Sequence, residues 1–222
     1  MKAVIYHADG YRVNRYRSGI YQHLIEELRK NTNEYGMPLI HLTLTGHPGQ
    51  GDENFYYDVN NADDIIWNRE YCIWQFLARD AQEGEHYLIF EPDFRIIAEV
   101  PPLTTDLCLL YREDPCPITP AWRMCTKQAA PFFEEVIGYF DQTKRDWHGD
   151  SIGYTHMWNV LGQPKIDDVV EHNGIQIQFR PYGWYASRTS KARYTKQWKG
   201  GEKLQIATAE FLAATDPNNQ NT

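Results

Sequence analysis

The 222-residue chain is 42% hydrophobic and 23% charged with a formal net charge of −8, the balance of a globular domain rather than of a disordered or membrane-embedded chain. The longest apolar runs, such as Tyr87–Phe90 and Cys108–Tyr111, fall far short of the roughly 20 residues that span a bilayer. The acidic balance argues against a generally basic nucleic-acid binder, yet residues 179–203 carry seven basic side chains against Glu202, a local +6 that leaves −14 for the rest.

Lys2 to His7 is expected to form a first strand that Asp9-Gly10 ends. His7 and Asp9 interrupt the apolar run before the hydrophobic region of a secretory signal can form, so a cytoplasmic protein is expected. Ser18 suits a helix N-cap, and Ile20, Leu24, Ile25 and Leu28 recur at helical spacing until Asn31–Gly36 break the pattern. Pro38–Thr45 reads as a second strand and Gly46–Gly51 as a loop. Asp52–Asp64 shows no clear period. The spacing of Ile66, Tyr71, Ile73, Trp74, Phe76 and Leu77 predicts a helix over Ile65–Ala78, which Gly84 stops.

His86–Phe90 is a short apolar strand of the kind buried in mid-sheet. Phe94–Val100 continues extended, and Leu107–Tyr111 is a further strand. Pro115–Pro120 reads as a proline-rich loop, Lys127–Phe140 as a helix with Pro131 in its first turn, and Ser151–Leu161 as another helix. Ile175–Phe179 is a strand. Cys72, Cys108, Cys116 and Cys125 lack CxxC spacing and are expected to be reduced and mostly buried, which makes zinc improbable. With no internal repeat and no linker composition, a single domain over residues 1–215 and a polar tail over residues 216–222 are expected. The succession of elements predicts an α/β fold with a mostly parallel central sheet and helices on both faces. Ligands of such sheets sit outside the carboxyl ends of the strands.

The sharpest local feature is Tyr87-Leu88-Ile89-Phe90-Glu91-Pro92-Asp93, in which two carboxylates leave a buried strand around a proline. Hard divalent cations such as Mg²⁺ or Mn²⁺ take oxygen ligands and share one or two carboxylates with substrate phosphates. An ordinary strand-end turn is the competing reading. The order of elements over residues 1–160, together with this motif, resembles the GT-A (Rossmann-like) glycosyltransferases, which bind nucleotide-sugars and usually hold a divalent metal at a DxD motif ending a central strand. The resemblance implies that Glu91 and Asp93, an ExD variant, meet the metal. It implies further that His7, Ala8 and Asp9 hold the base and ribose, and that Asn68 and Arg69 contact the nucleotide.

Trp147-His148-Gly149-Asp150 opens a predicted helix with an aromatic face, an imidazole and a carboxylate. Trp147 and His148 could meet an acceptor, and Asp150 is either a helix cap or the base that removes a proton from an acceptor hydroxyl. Arg180 and Trp184, in Arg180-Pro181-Tyr182-Gly183-Trp184-Tyr185, are candidates for the donor diphosphate, whose leaving charge needs a cation. Arg188, Lys191 and Arg193 are candidates for the acceptor, a nucleic acid being one option. His148, His156 and His172 are candidate third metal ligands, each with a structural role as the commoner alternative. No GxxxxGK[ST], HExxH or GxGxxG motif is present, which removes support for P-loop, zinc-peptidase and dinucleotide chemistry. The expected activity is metal-dependent sugar transfer from a nucleoside diphosphate to an acceptor hydroxyl. A nucleotidyltransferase and a non-catalytic binding protein on the same scaffold are the alternatives.

Overall fold

The computed structural model describes residues 1–8, 20–60, 64–112, 117–142, 149–185 and 193–197. The strands in chain order are β1 (Lys2–Tyr6), β2 (Leu39–Leu44), β3 (Glu53–Tyr57), β4 (Tyr87–Phe90), β5 (Phe94–Ile96), β6 (Leu107–Tyr111), β7 (Ile118–Cys125), β8 (Val169–His172), β9 (Ile175–Pro181) and β10 (Thr195–Gln197). The helices are α1 (Ile20–Glu34), α2 (Ile65–Gln75), α3 (Ala130–Gln142), α4 (Gly149–Val160) and the single turn α5 (Tyr182–Tyr185). Eight strands build one sheet in the order β3-β2-β1-β4-β7-β6-β9-β8, and β10 pairs with β5 apart from it. β1 to β4, β6 and β9 share one direction, while β7 and β8 run against their neighbours. The sheet is therefore mostly parallel, as the succession of elements predicted.

Alternation along each strand divides the core in two, because successive side chains point to opposite faces. Val4, Ile40, Ile89, Leu109 and Ile177 face α2, α3 and α4, where they pack on Ile73, Phe132, Phe133, Val136 and Tyr154. Ala3, Ile5, Leu39, Leu88 and Cys108 face the other way, onto Ile25 and Leu28 of α1 and Phe94 and Ile96 of β5. Both faces of the central strands are covered, which is why β1, β2 and β4 read as continuous apolar runs. Among the described residues no helix is long and apolar enough to cross a membrane.

Four expectations need correction. The proline-rich loop over Pro115–Pro120 gives way at Ile118 to β7, a buried strand. Two features hid it: Arg123 in its middle, neutralised inside the core by Glu70, and Pro120, which falls where the β6–β7 register shifts and so avoids the ladder that a proline cannot donate to. The aperiodic stretch Asp52–Asp64 contains β3, an edge strand whose side chains are mostly half-exposed and show no alternation. β8 was also missed, although Asn173-Gly174, with φ of 50° and 79°, is the sequence signature of a tight hairpin. Finally, α1 continues to Glu34, and Gly36 with φ of 67° supplies the left-handed stop.

The parallel strands β2 and β3 are joined by residues 45–52 alone, so the link folds back along β2. Gly51 makes that return possible, since a Cβ there would lie 2.6 Å from the carbonyl oxygens of both Leu39 and Glu53.

Candidate active site at the carboxyl ends of β1 and β4

From β1 the chain moves outward through β2 to β3, and then returns to place β4 on the other side of β1. This reversal opens a crevice at the carboxyl ends of β1 and β4, the place where open α/β sheets bind ligands. The parallel register Val4↔Ile89, carried on past both strands, brings His7 and Ala8 level with the Glu91-Pro92-Asp93 turn. Adjacent strands lie about 4.8 Å apart, so the two segments flank one narrow site.

His7 is half-buried and its ring stacks on Tyr21 at 4.8 Å. Its backbone is tied on both sides: the His7 N–H donates to Leu42 O at 3.1 Å, and the buried His41 Nε2 lies 2.8 Å from His7 O. Because the Gln50 N–H donates to His41 Nδ1 at 3.0 Å, that nitrogen holds a lone pair and Nε2 carries the proton. His41 thus joins the glycine-bearing Gly46–Gly51 loop to the end of β1. Ala8 is buried and can offer a ligand little beyond its backbone.

Phe94 N–H donates to Glu91 O at 3.1 Å, which closes the acidic turn. Arg95 holds the turn from behind. Its guanidinium is buried and donates to Pro92 O at 3.3 Å, Phe94 O at 2.6 Å and Leu24 O of α1 at 3.4 Å. Nothing in the sequence marked Arg95, since an arginine after a strand ordinarily lies at the surface.

The start of α2 supplies the strongest electrostatic feature. Asp64 caps the helix, accepting from Trp67 N–H at 3.4 Å. Asn68 is fully buried. Arg69 donates through Nη1 to Glu91 Oε1 at 3.1 Å and through Nε to Glu70 Oε1 at 2.8 Å. The same Glu70 oxygen accepts from Arg123 Nη1 at 3.1 Å, and Tyr154 Oη donates to Glu70 Oε2 at 2.9 Å. Arg123 also donates to Pro120 O, and its guanidinium lies over the rings of Phe133 and Tyr154. Burial pushes the Tyr154 phenol well above its usual range, so it stays a donor. The pairing of Arg69 with Glu91 joins two residues singled out separately in the sequence. Glu70, Arg123 and Tyr154 were missed, because each looks like an ordinary surface or core residue until the chain is folded.

The remaining sequence candidates lie elsewhere or outside the described residues. Arg180 ends β9, three strand spacings or about 14 Å from β4, and its Nη1 donates to Asp167 Oδ1 at 2.6 Å in an exposed pair. Beside it, Arg112 lies over the Tyr182 ring at 5.9 Å, and Lys165 lies between Tyr111 and Trp158. Asp150 falls in the first turn of α4 and Trp184 in α5. Arg193 is exposed and stands just before β10. Asp9, Trp147, His148, Arg188 and Lys191 lie outside the described residues. His172 is excluded as a ligand at this edge: it sits at the opposite end of the sheet, before β9, where its Nε2 meets both oxygens of Glu135 at 2.9 Å. His156 stacks on Tyr139 at 4.0 Å, between α4 and α3.

No family model and no curated protein matches the sequence. Comparison of folds gives a different result. The crystal structure of a glycosyltransferase involved in the glycosylation of the major capsid of PBCV-1 superposes with a TM-score of 0.58, over 93% of this chain and 98% of that one, at 9% identity. The chain has a glycosyltransferase-like fold. At 93% of this chain, the match extends past residues 1–160. At this identity the likeness concerns the fold alone; chemistry must come from the residues. Among the described residues no group of three or more His, Cys, Asp and Glu side chains comes together as a ready metal cage. The donor set at the crevice, two carboxylates on one turn, suits a hard cation that completes its shell with phosphate and water oxygens. One of the two, Glu91, already accepts from a guanidinium.

Proposed function

We propose that this chain is a glycosyltransferase that moves a sugar from a nucleoside diphosphate to an acceptor hydroxyl, at the crevice between His7 and the Glu91-Pro92-Asp93 turn. The observation that carries the reading is the acidic turn itself, set at the strand-order reversal of a glycosyltransferase fold and backed by Arg69. The backbone at His7 and Ala8 and the stacked rings of His7 and Tyr21 provide a flat polar edge for a nucleoside. Mg²⁺ or Mn²⁺, held by Asp93 with Glu91 beside it, would neutralise the diphosphate as the bond to the sugar breaks.

Cations near the turn supplement that charge. Arg69 lies at its rim, and β10 runs antiparallel to β5 with Gln197 opposite Phe94, next to the turn. Asp150, in the first turn of α4, is the proposed base for the acceptor. The cytoplasm remains the proposed compartment. Incubation with a panel of nucleotide-sugars tests the reading by release of free nucleoside diphosphate. Release that needs Mn²⁺ or Mg²⁺ and stops with a chelator is expected; metal-independent binding without turnover would instead favour a binding protein on this scaffold.

A further inference from the structure

One carboxylate of the acidic turn, that of Glu91, is tied to the core. Glu91 accepts from Arg69, and Arg69 is itself held by Glu70, with side-chain exposures of 22%, 10% and 0% respectively. Behind Glu70 stand Arg123, 1% exposed, and the hydroxyl of Tyr154 at 2.9 Å. Two guanidinium groups converge on one Glu70 oxygen, which leaves positive charge in excess around a desolvated carboxylate. The second carboxylate that meets this charge is Glu91.

Each member has a directional reason to hold its place. The guanidinium is a planar fork, and Arg69 uses Nε toward Glu70 and Nη1 toward Glu91, so fixing one side aims the other. Glu70 is fixed in turn on both oxygens, by the arginines on Oε1 and by Tyr154 on Oε2. The chain Tyr154–Glu70–Arg69–Glu91 therefore runs from β7 and α4 packing in the core out to the crevice. Low dielectric makes such a chain cooperative, because each group polarises the next.

We propose that Glu70 is a positioning residue that acts through Arg69 on Glu91, so that Glu91 serves as the counter-ion of Arg69 while the divalent cation falls to Asp93. The assignment rests on the glycosyltransferase reading for the metal, but not for the network. It gives Arg69 a second use: an incoming diphosphate competes with Glu91 for the same guanidinium, so the pair exchanges partners when the donor binds.

The network is tested in the absence of any ligand by a double-mutant cycle on urea midpoints. Tyr154→Phe removes only a hydroxyl and Glu91→Gln only a charge, and the two side chains bond to different members of the chain. The midpoint shift caused by Glu91→Gln should fall by at least half in the Tyr154→Phe background; additive shifts would overturn the positioning role, since side chains that share no network add. Glu70→Gln is the stronger variant, and Tyr154→Phe keeps the test open if it fails to fold. Mn²⁺ with UDP or GDP as the probe then separates the carboxylates. Asp93→Asn should lose Mn²⁺ binding, while Glu91→Gln keeps the parent affinity within about threefold; equal loss from both would overturn the counter-ion assignment. A parent protein that binds neither Mn²⁺ nor nucleotide would sink the glycosyltransferase reading, and the urea cycle would still decide the network.

Discussion

Two ion-paired arginines stand at the same edge of the sheet, and their settings are opposite. Arg69, at the β1–β4 crevice, is 10% exposed and shares a fully buried carboxylate with Arg123, whereas Arg180, at the end of β9, has a side chain 34% exposed facing an Asp167 that is 64% exposed. Water screens the second pair, and holding two mobile side chains in one geometry costs entropy, so such pairs contribute about 0–1 kcal/mol. The first pair is desolvated, and removal of one partner strands a charge in the core. A guanidinium that the surrounding core holds in place is suited to an anionic ligand; one that water can release is less so.

The largest expected effect separates these regions by stability. Glu70→Ala leaves two buried guanidinium groups without their shared carboxylate and should cost about 3–5 kcal/mol, read as a lower urea midpoint. A loss within 1 kcal/mol would show that the cluster is hydrated and remove the distinction between the two arginines.

Next comes the chemistry at the crevice. Asp93→Asn should lower metal-dependent release of nucleoside diphosphate by roughly 1000-fold, because charge stabilisation by a metal amounts to several kcal/mol, with the unfolding midpoint unchanged. Full activity in this variant would end the metal assignment. Asp150→Asn should reduce turnover by about 100-fold with little change in donor affinity, as loss of a general base does. If it loses only about 1 kcal/mol of stability, as a helix cap would, and keeps its rate per folded molecule, the catalytic role fails.

The smallest effect is expected at Arg180. Arg180→Ala should shift stability by no more than about 1 kcal/mol, and less at high salt. Should donor affinity collapse while stability holds, the diphosphate would have to be placed at the β9 end of the sheet and the comparison reversed.

The regions also differ in how far the sequence revealed them. β1, β2 and β4 were legible because both their faces are buried, so their apolar runs are continuous, and the acidic turn was legible because two charges break such a run at its end. The basic segment was visible as a local +6, but the pairing of its described residues Thr195–Gln197 with β5 beside the turn is encoded by no local pattern. β7 was hidden because Arg123 and Pro120 contradict the expected composition of a central strand, and each is explained only by a distant partner or a register shift. The same holds for Glu70. Its burial is decided by Arg123 and Tyr154, residues 53 and 84 positions away, so the carboxylate looks solvated in sequence. Buried thiols, by contrast, were read correctly from their apolar neighbours: Cys108 and Cys125 lie in the core, and burial pushes both up to about 12.

The central claim is that the crevice between β1 and β4 takes a nucleotide-sugar with a metal at Asp93. The most direct measurement is thermal unfolding of the parent and of Asp93→Asn across a panel of nucleotide-sugars, each with and without Mn²⁺. Ligand at 100 times its Kd adds about 2.7 kcal/mol, which for a domain of this size raises Tm by roughly 5–10 °C. The account predicts that rise for at least one nucleotide-sugar, only with Mn²⁺, and its loss in Asp93→Asn; no rise with any of them, or an equal rise in the variant, would contradict it.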